Sequence, residues 1–175
     1  MKEALAEARK AGRKGEVPVG CVIAAGGKTI ARAGNRIRRS KDPTAHAEVL
    51  AIRKACKVLK NERIGDTILY STVEPCAMCA GAIVLARISR VVYGAPDPKT
   101  GSCGSVFKIL PSKKLNHRPS VEGGVLAEEC GELLRKFFQR RRTQNMVTAR
   151  NMKTNPGVGR FYVLCTMFCV MAIRG

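Results

Sequence analysis

The chain has 175 residues, 45% of them hydrophobic, and carries 32 Lys and Arg against 13 Asp and Glu for a formal net charge of +19. That is length and apolar content enough for one domain with a core, which excludes a wholly disordered or fibrous protein. The longest apolar run, residues 161–173, would reach about 20 Å as a helix against roughly 30 Å of hydrocarbon, so neither a membrane span nor a membrane partner is expected.

Ala4, Leu5, Ala8 and Ala11 recur at helical spacing, and Gly12 and Gly15 close that segment ahead of Pro18. Residues 19–24 read as a buried strand, Gly26-Gly27 as a turn and 28–33 as the partner strand of a hairpin. Residues 35–41 form a basic loop, after which Asp42-Pro43-Thr44 supplies capping and breaking residues for a helix over 45–60. Its apolar stripe is Ala47, Leu50, Ala51, Ala55, Val58 and Leu59. Residues 67–73 are β-branched and apolar enough for a central strand, Pro75 suits the start of a helix over 77–86, and 89–93 make a further strand. Strands separated by helices imply crossover connections, parallel pairing and an α/β protein built as a three-layer α/β/α sandwich. Beyond Gly101 come a loop, a last strand near 120–125, and a helix with Leu126, Cys130, Leu133, Leu134, Phe137 and Phe138 on one face.

Residues 1–14 mix Glu3 and Glu7 with Lys and Arg and contain no apolar stretch of the secretory kind. Eight cysteines without such a leader point to free thiols in a reducing, cytoplasmic setting, available as metal ligands or nucleophiles. Nine basic residues and no acidic one follow Glu132, so +9 of the +19 falls in the last 43 residues. A surplus of this kind attracts polyanions through counterion release, with nucleic acid as the usual partner, acidic membrane as the competitor and solubility as the plainer explanation. Five Phe, three Tyr and no Trp argue against an open platform on which successive bases stack.

The chemistry concentrates in His46-Ala47-Glu48 and Pro75-Cys76-Ala77-Met78-Cys79, each opening a helix. Cys76 and Cys79 are three apart, so their sulfurs point the same way, and a helix N-terminus favours the thiolates that a metal requires. Zinc suits them, and His46 as third ligand leaves the fourth tetrahedral position to water, as in catalytic zinc sites. Glu48 stands about 200° around the helix from His46, which fits a proton carrier better than a further ligand. A redox Cys-x-x-Cys would leave His46-x-Glu48 unexplained, and a structural zinc would need a fourth ligand that neither a second Cys-x-x-Cys nor clustered histidine supplies.

With those motifs the chain resembles the bacterial tRNA-specific adenosine deaminases of the cytidine-deaminase-like superfamily over about residues 1–142. The resemblance also rests on Glu16-Val17-Pro18-Val19-Gly20, Asn35-Arg36, Asp42-Pro43-Thr44-Ala45, Asp97-Pro98-Lys99-Thr100-Gly101, Gly104-Ser105 and Asn116-His117-Arg118. It implies a mixed five-stranded sheet, one zinc per subunit held by His46, Cys76 and Cys79, and Glu48 moving protons as adenosine at the tRNA wobble position becomes inosine. It further implies that Asn35 hydrogen-bonds the flipped base and that Val17 and Pro18 wall the pocket. By the same resemblance Asp97, Lys99 and Asn116 contact the anticodon stem-loop, Phe138 and Arg142 face RNA, and the enzyme is a homodimer. Two other functions compete: a free nucleobase or nucleoside deaminase (guanine or cytosine) on the same fold, which has no need of such charge, and an idle RNA-binding module, in which Glu48 would be purposeless. Cys21 and Cys103 stand where the family more often has a small residue, and Pro96 and Pro98 stiffen the loop around Asp97. Residues 143–175 match no motif; a linker at 155–159 and the apolar run at 161–173 make them a basic and apolar tail outside the deaminase domain.

Overall fold

Small residues decide how the first helix meets the sheet. The computed structural model describes residues 1–154, with side chains described for 1–144 and 146; the expected linker at 155–159 and apolar run at 161–173 lie outside the described residues. Helix α1 (Lys2–Arg13) buries Ala4, Leu5, Ala8 and Ala11 against strands β1 (Gly20–Ala25) and β2 (Lys28–Gly34). Its backbone lies so close that a β-carbon at Gly20 would overlap the main-chain oxygen of Ala4 and the nitrogen of Ala8. The hairpin turns through Gly26 and Gly27, both at positive φ, as its two-residue connection demands.

The segment after the hairpin, expected as loop throughout, contains the short helix α2 (Ile37–Ser40). Its cause is remote in sequence: the buried Glu16 carboxylate accepts the N–H groups of Arg38 at 3.1 Å and Arg39 at 2.9 Å, satisfying first-turn donors that the helix itself cannot. Helix α3 (Ala47–Leu59) follows, then β3 (Thr67–Val73), α4 (Ala77–Leu85), β4 (Arg90–Ala95), β5 (Ser120–Glu122) and α5 (Ala127–Thr154). On α3 the buried set is Ala47, Glu48, Ala51, Ile52 and Ala55, so Ile52 replaces Val58 and Leu59, which are exposed.

The strand order is β2-β1-β3-β4-β5. Thus β1 pairs antiparallel with β2 and β3, while β3–β4 and β4–β5 pair parallel, and the expected mixed five-stranded sheet is present. Crossover through α3 does leave β2 and β3 parallel, but β1 lies between them, so the pairing that β3 makes on that side is antiparallel. Cys21 and Ile23 of β1, Leu69 of β3 and Val91 of β4 pack with Ala51, Ile52, Ala80 and Ile83 of α3 and α4 in the main core. Leu5 of α1, Ala95 of β4 and Cys130 of α5 form a second cluster, and a β-carbon on Gly94 of β4 would meet the Cys130 thiol. With helices α3 and α4 on one face and α1 and the start of α5 on the other, the architecture is the α/β/α sandwich.

The chain divides into two compact units, Met1–Phe137 and Phe138–Gly175; the border read from the sequence, between 142 and 143, falls inside α5. No helix among the described residues is long and apolar enough to cross a membrane. Gly20→Ala is expected to destabilise the protein by about 1–3 kcal/mol, since the β-carbon meets backbone rather than a yielding side chain; urea unfolding midpoints of the two proteins measure it.

Candidate zinc centre

Two helix N-termini supply the ligand set. His46 is the extended residue that precedes α3 (φ −70°, ψ 151°) and Cys76 the extended residue that precedes α4 (φ −73°, ψ 174°). Cys79 follows on the first turn of α4 and is buried. The His46 Nδ1 atom stands 3.7 Å from Cys76 Sγ and 3.6 Å from Cys79 Sγ, and the three donor atoms lie within 4.8 Å of one another. Tetrahedral zinc with ordinary Zn–S and Zn–N bond lengths requires an N···S separation of about 3.6 Å, so the residues present fit that ion. Among the described residues no other group of three such side chains has this arrangement.

Charge in the cluster is already arranged for a cation. The Cys76 thiol is held down to about 4, first by its hydrogen bond with Cys79 and then by His46, against the opposing effect of burial. Cys79 is pushed up by the same hydrogen bond and by burial. His46 is raised by its contact with Cys76. Cys21 is raised by burial, and Cys103 is pushed up to about 12 by burial and the neighbouring Glu74. These two extra cysteines therefore stay protonated beside the ligand set, and all six described cysteines are free thiols.

Glu48 sits in the first turn of α3, 3% exposed. Its Oε1 accepts the Ser71 hydroxyl of β3 at 3.0 Å, whereas Oε2 is the one buried side-chain oxygen or nitrogen among the described residues without a hydrogen-bond partner. Burial raises its carboxyl, with partial relief from the charge of His46 and the Ser71 hydrogen bond. A buried carboxylate with one oxygen fixed and one unspent beside metal ligands is a group with room for a proton.

Asn35, at the end of β2, is buried and its Oδ1 accepts the Ala47 N–H at 2.8 Å. The cap of α3 is therefore Asn35 and not Asp42, whose carboxylate closes its own turn on Thr44; what Asn35 has left to offer a ligand is chiefly its amide N–H. Val17, half-buried, and Pro18, buried, adjoin it through the Asn35 N–H to Val19 oxygen bond of 3.0 Å. Asp97 spends Oδ1 on the N–H groups of Lys99 and Thr100. Lys99 and Asn116 are exposed, the latter's carbonyl accepting the Arg87 guanidinium. Phe138 and Arg142, exposed, belong to the second unit. Sequence reasoning gave no role to two buried acids, Glu16, which it met only within a motif, and Glu74. Burial would raise the Glu74 carboxyl, but Ser105 and the N–H groups of Asp97, Cys103 and Ser105 hold it below its usual value. The one sequence signal for it was a carboxylate directly before Pro75-Cys76.

Residues 1–95 match the cytidine and deoxycytidylate deaminase zinc-binding region. The tRNA-specific adenosine deaminase of Bacillus subtilis (strain 168) is 47% identical over 152 residues, covering 87% of this chain and 94% of that protein. The tRNA-specific adenosine deaminase of Agrobacterium fabrum is 48% identical over 142 residues, 81% of this chain and 93% of that one. A solved structure from biochemical and structural studies of A-to-I editing by tRNA:A34 deaminases at the wobble position of transfer RNA superposes with a TM-score of 0.74 at 48% identity, covering 77% of this chain and 97% of that chain.

Cys79→Ser is expected to weaken zinc binding by more than the roughly 10–100-fold that changes beyond the ligands themselves cost; competition with a chromogenic chelator, with metal analysis of the purified protein, reads it.

Proposed function

This chain belongs to the cytidine and deoxycytidylate deaminase zinc-binding family, and we propose that within it the protein is a tRNA adenosine deaminase that hydrolyses adenosine at the wobble position of an anticodon to inosine and ammonia. The observation that carries the substrate is identity of 47–48% to tRNA-specific adenosine deaminases over more than four fifths of the chain. The basic surplus of +19 supports a polyanionic substrate over a free nucleobase.

His46, Cys76 and Cys79 would hold the zinc, which when bound would supply Lewis acidity enough to lower the pKa of water from near 16 to about 7. Glu48 is the proton carrier. Its Oε1 is anchored by Ser71 while Oε2, unspent, takes the proton of the attacking water. The same oxygen passes that proton to the purine ring, then takes a second proton from the hydroxyl now bound to the base carbon and passes it to the departing amine, so the carboxylate ends as it began. Its raised carboxyl suits it to hold a proton between those two transfers. Asn35 donates its amide N–H to the flipped base, with Val17 and Pro18 as the pocket wall. Asp97, Lys99 and Asn116 receive the anticodon nucleotides, and Phe138 and Arg142 face the RNA. A second copy completes the enzyme; the exposed apolar side chains Leu85, Val106 and Phe107 of the first unit support such a homodimer. The enzyme works in the cytoplasm, on one zinc per subunit, with residues 1–142 as the deaminase domain.

Incubation with a tRNA bearing adenosine at the wobble position, followed by sequencing for inosine, tests the reading. Glu48→Ala is expected to lower conversion at least about 100-fold, the effect of losing a positioned acid–base group, while metal analysis still finds zinc. Undiminished conversion by Glu48→Ala would remove the proton-carrier role. A chain ending at Arg142 should keep its zinc and most of its activity, as the same two assays report; loss of zinc would show that residues 143–175 belong to the catalytic domain.

A further inference from the structure

Glu74 closes β3's approach to the zinc ligands without being one of them. It is 2% exposed, and among the described residues no ion pair includes it. A buried carboxylate without a cation needs several donors to persist, and Glu74 takes all of its donors from one loop. Oε1 accepts the N–H groups of Cys103 at 2.7 Å and Ser105 at 3.2 Å; Oε2 accepts the Asp97 N–H at 3.1 Å and the Ser105 hydroxyl.

The rest of that loop is shaped to fit. A β-carbon on Gly101 would overlap the Glu74 carboxylate, so glycine there lets the loop wrap it. Ser102 N–H reaches the Pro75 oxygen at 2.9 Å, and Gly101 forms an isolated bridge with Cys76 itself. Asp97 then folds the chain outward through the N–H groups of Lys99 and Thr100. The loop is thereby built around a carboxylate two residues from a zinc ligand, and its far side presents Lys99 to solvent.

We propose that Glu74 is a positioning residue which sets the RNA-binding loop 97–105 in place relative to the Cys76 turn, and so governs substrate binding and not the chemical step. The proposal rests on the tRNA-deaminase reading above for what the loop binds. A glutamine at 74 would offer one oxygen to four donors and turn an amide N–H toward the others. Glu74→Gln in the full chain, assayed on an anticodon stem-loop RNA with adenosine at the wobble position, is expected to raise KM about tenfold with kcat within about threefold and zinc still at one per chain. Glu74→Asp, which keeps both oxygens, should recover part of that loss. Hydrogen exchange should quicken about tenfold at the amides of Asp97, Cys103 and Ser105 while the β1 and β3 amides are unmoved.

An unchanged KM, or a fall of kcat and zinc content together with KM, would overturn the proposal. Should Glu74→Gln fail to fold, Ser105→Ala decides: it removes one hydroxyl donor, and KM must still rise with kcat unmoved, or the proposal is lost. If the unaltered protein does not convert the RNA, the functional reading fails instead, and faster exchange confined to those three amides still supports the hold of Glu74 on the loop, while unchanged exchange refutes it.

Discussion

The convergence of two helix N-termini is the constraint on which the site depends. Helices α3 and α4 cover the same face of the sheet, and their first turns bring the His46 imidazole to within 3.7 Å of both sulfurs. Each N-terminus carries partial positive charge and unsatisfied N–H groups. That field favours thiolate at Cys76 and demands capping at α3, where Asn35 accepts the Ala47 N–H. Ligand geometry is thus a property of helix packing: a shift of either helix would separate atoms whose spacing suits a tetrahedral ion.

Buried carboxylates fasten the surrounding loops. Glu16 holds the first turn of α2, Glu74 holds the loop after β4, and both do it by accepting main-chain N–H groups. Glu48 is the exception, with one oxygen bonded and one left over. The contrast separates fastening from chemistry: the oxygens of Glu16 and Glu74 are engaged by loop donors, whereas Glu48 keeps one oxygen idle in a buried site. A basic chain that places acids inside also leaves its surface more positive than composition alone states.

Much of this was legible in the sequence, because the signals are local. The strand at 67–73, the hairpin at Gly26-Gly27 and the helices opening after His46 and Pro75 follow from period, turn chemistry and breakers within a few residues, and the i, i+3 spacing of Cys76 and Cys79 puts both thiols on one turn. Errors fell where a distant partner decides. Glu16 makes a helix of Ile37–Ser40 in what reads as loop, and Val58 and Leu59 keep an apolar pattern though both are exposed. The helix periodicity after Leu126 continues to Thr154, past the point where recognisable motifs end.

By itself the sequence determined the donor types, their spacing on helix starts, the excess of positive charge and the alternation that yields an α/β sandwich, since each depends on neighbours along the chain. Tertiary structure alone decided that β1 lies between β2 and β3, that Asn35 caps α3, that one oxygen of Glu48 is left without a partner, and that Glu74 gathers a loop 23 to 31 residues away. Those are hydrogen bonds between segments remote in sequence, and no periodicity or composition encodes which buried donor will meet which acceptor.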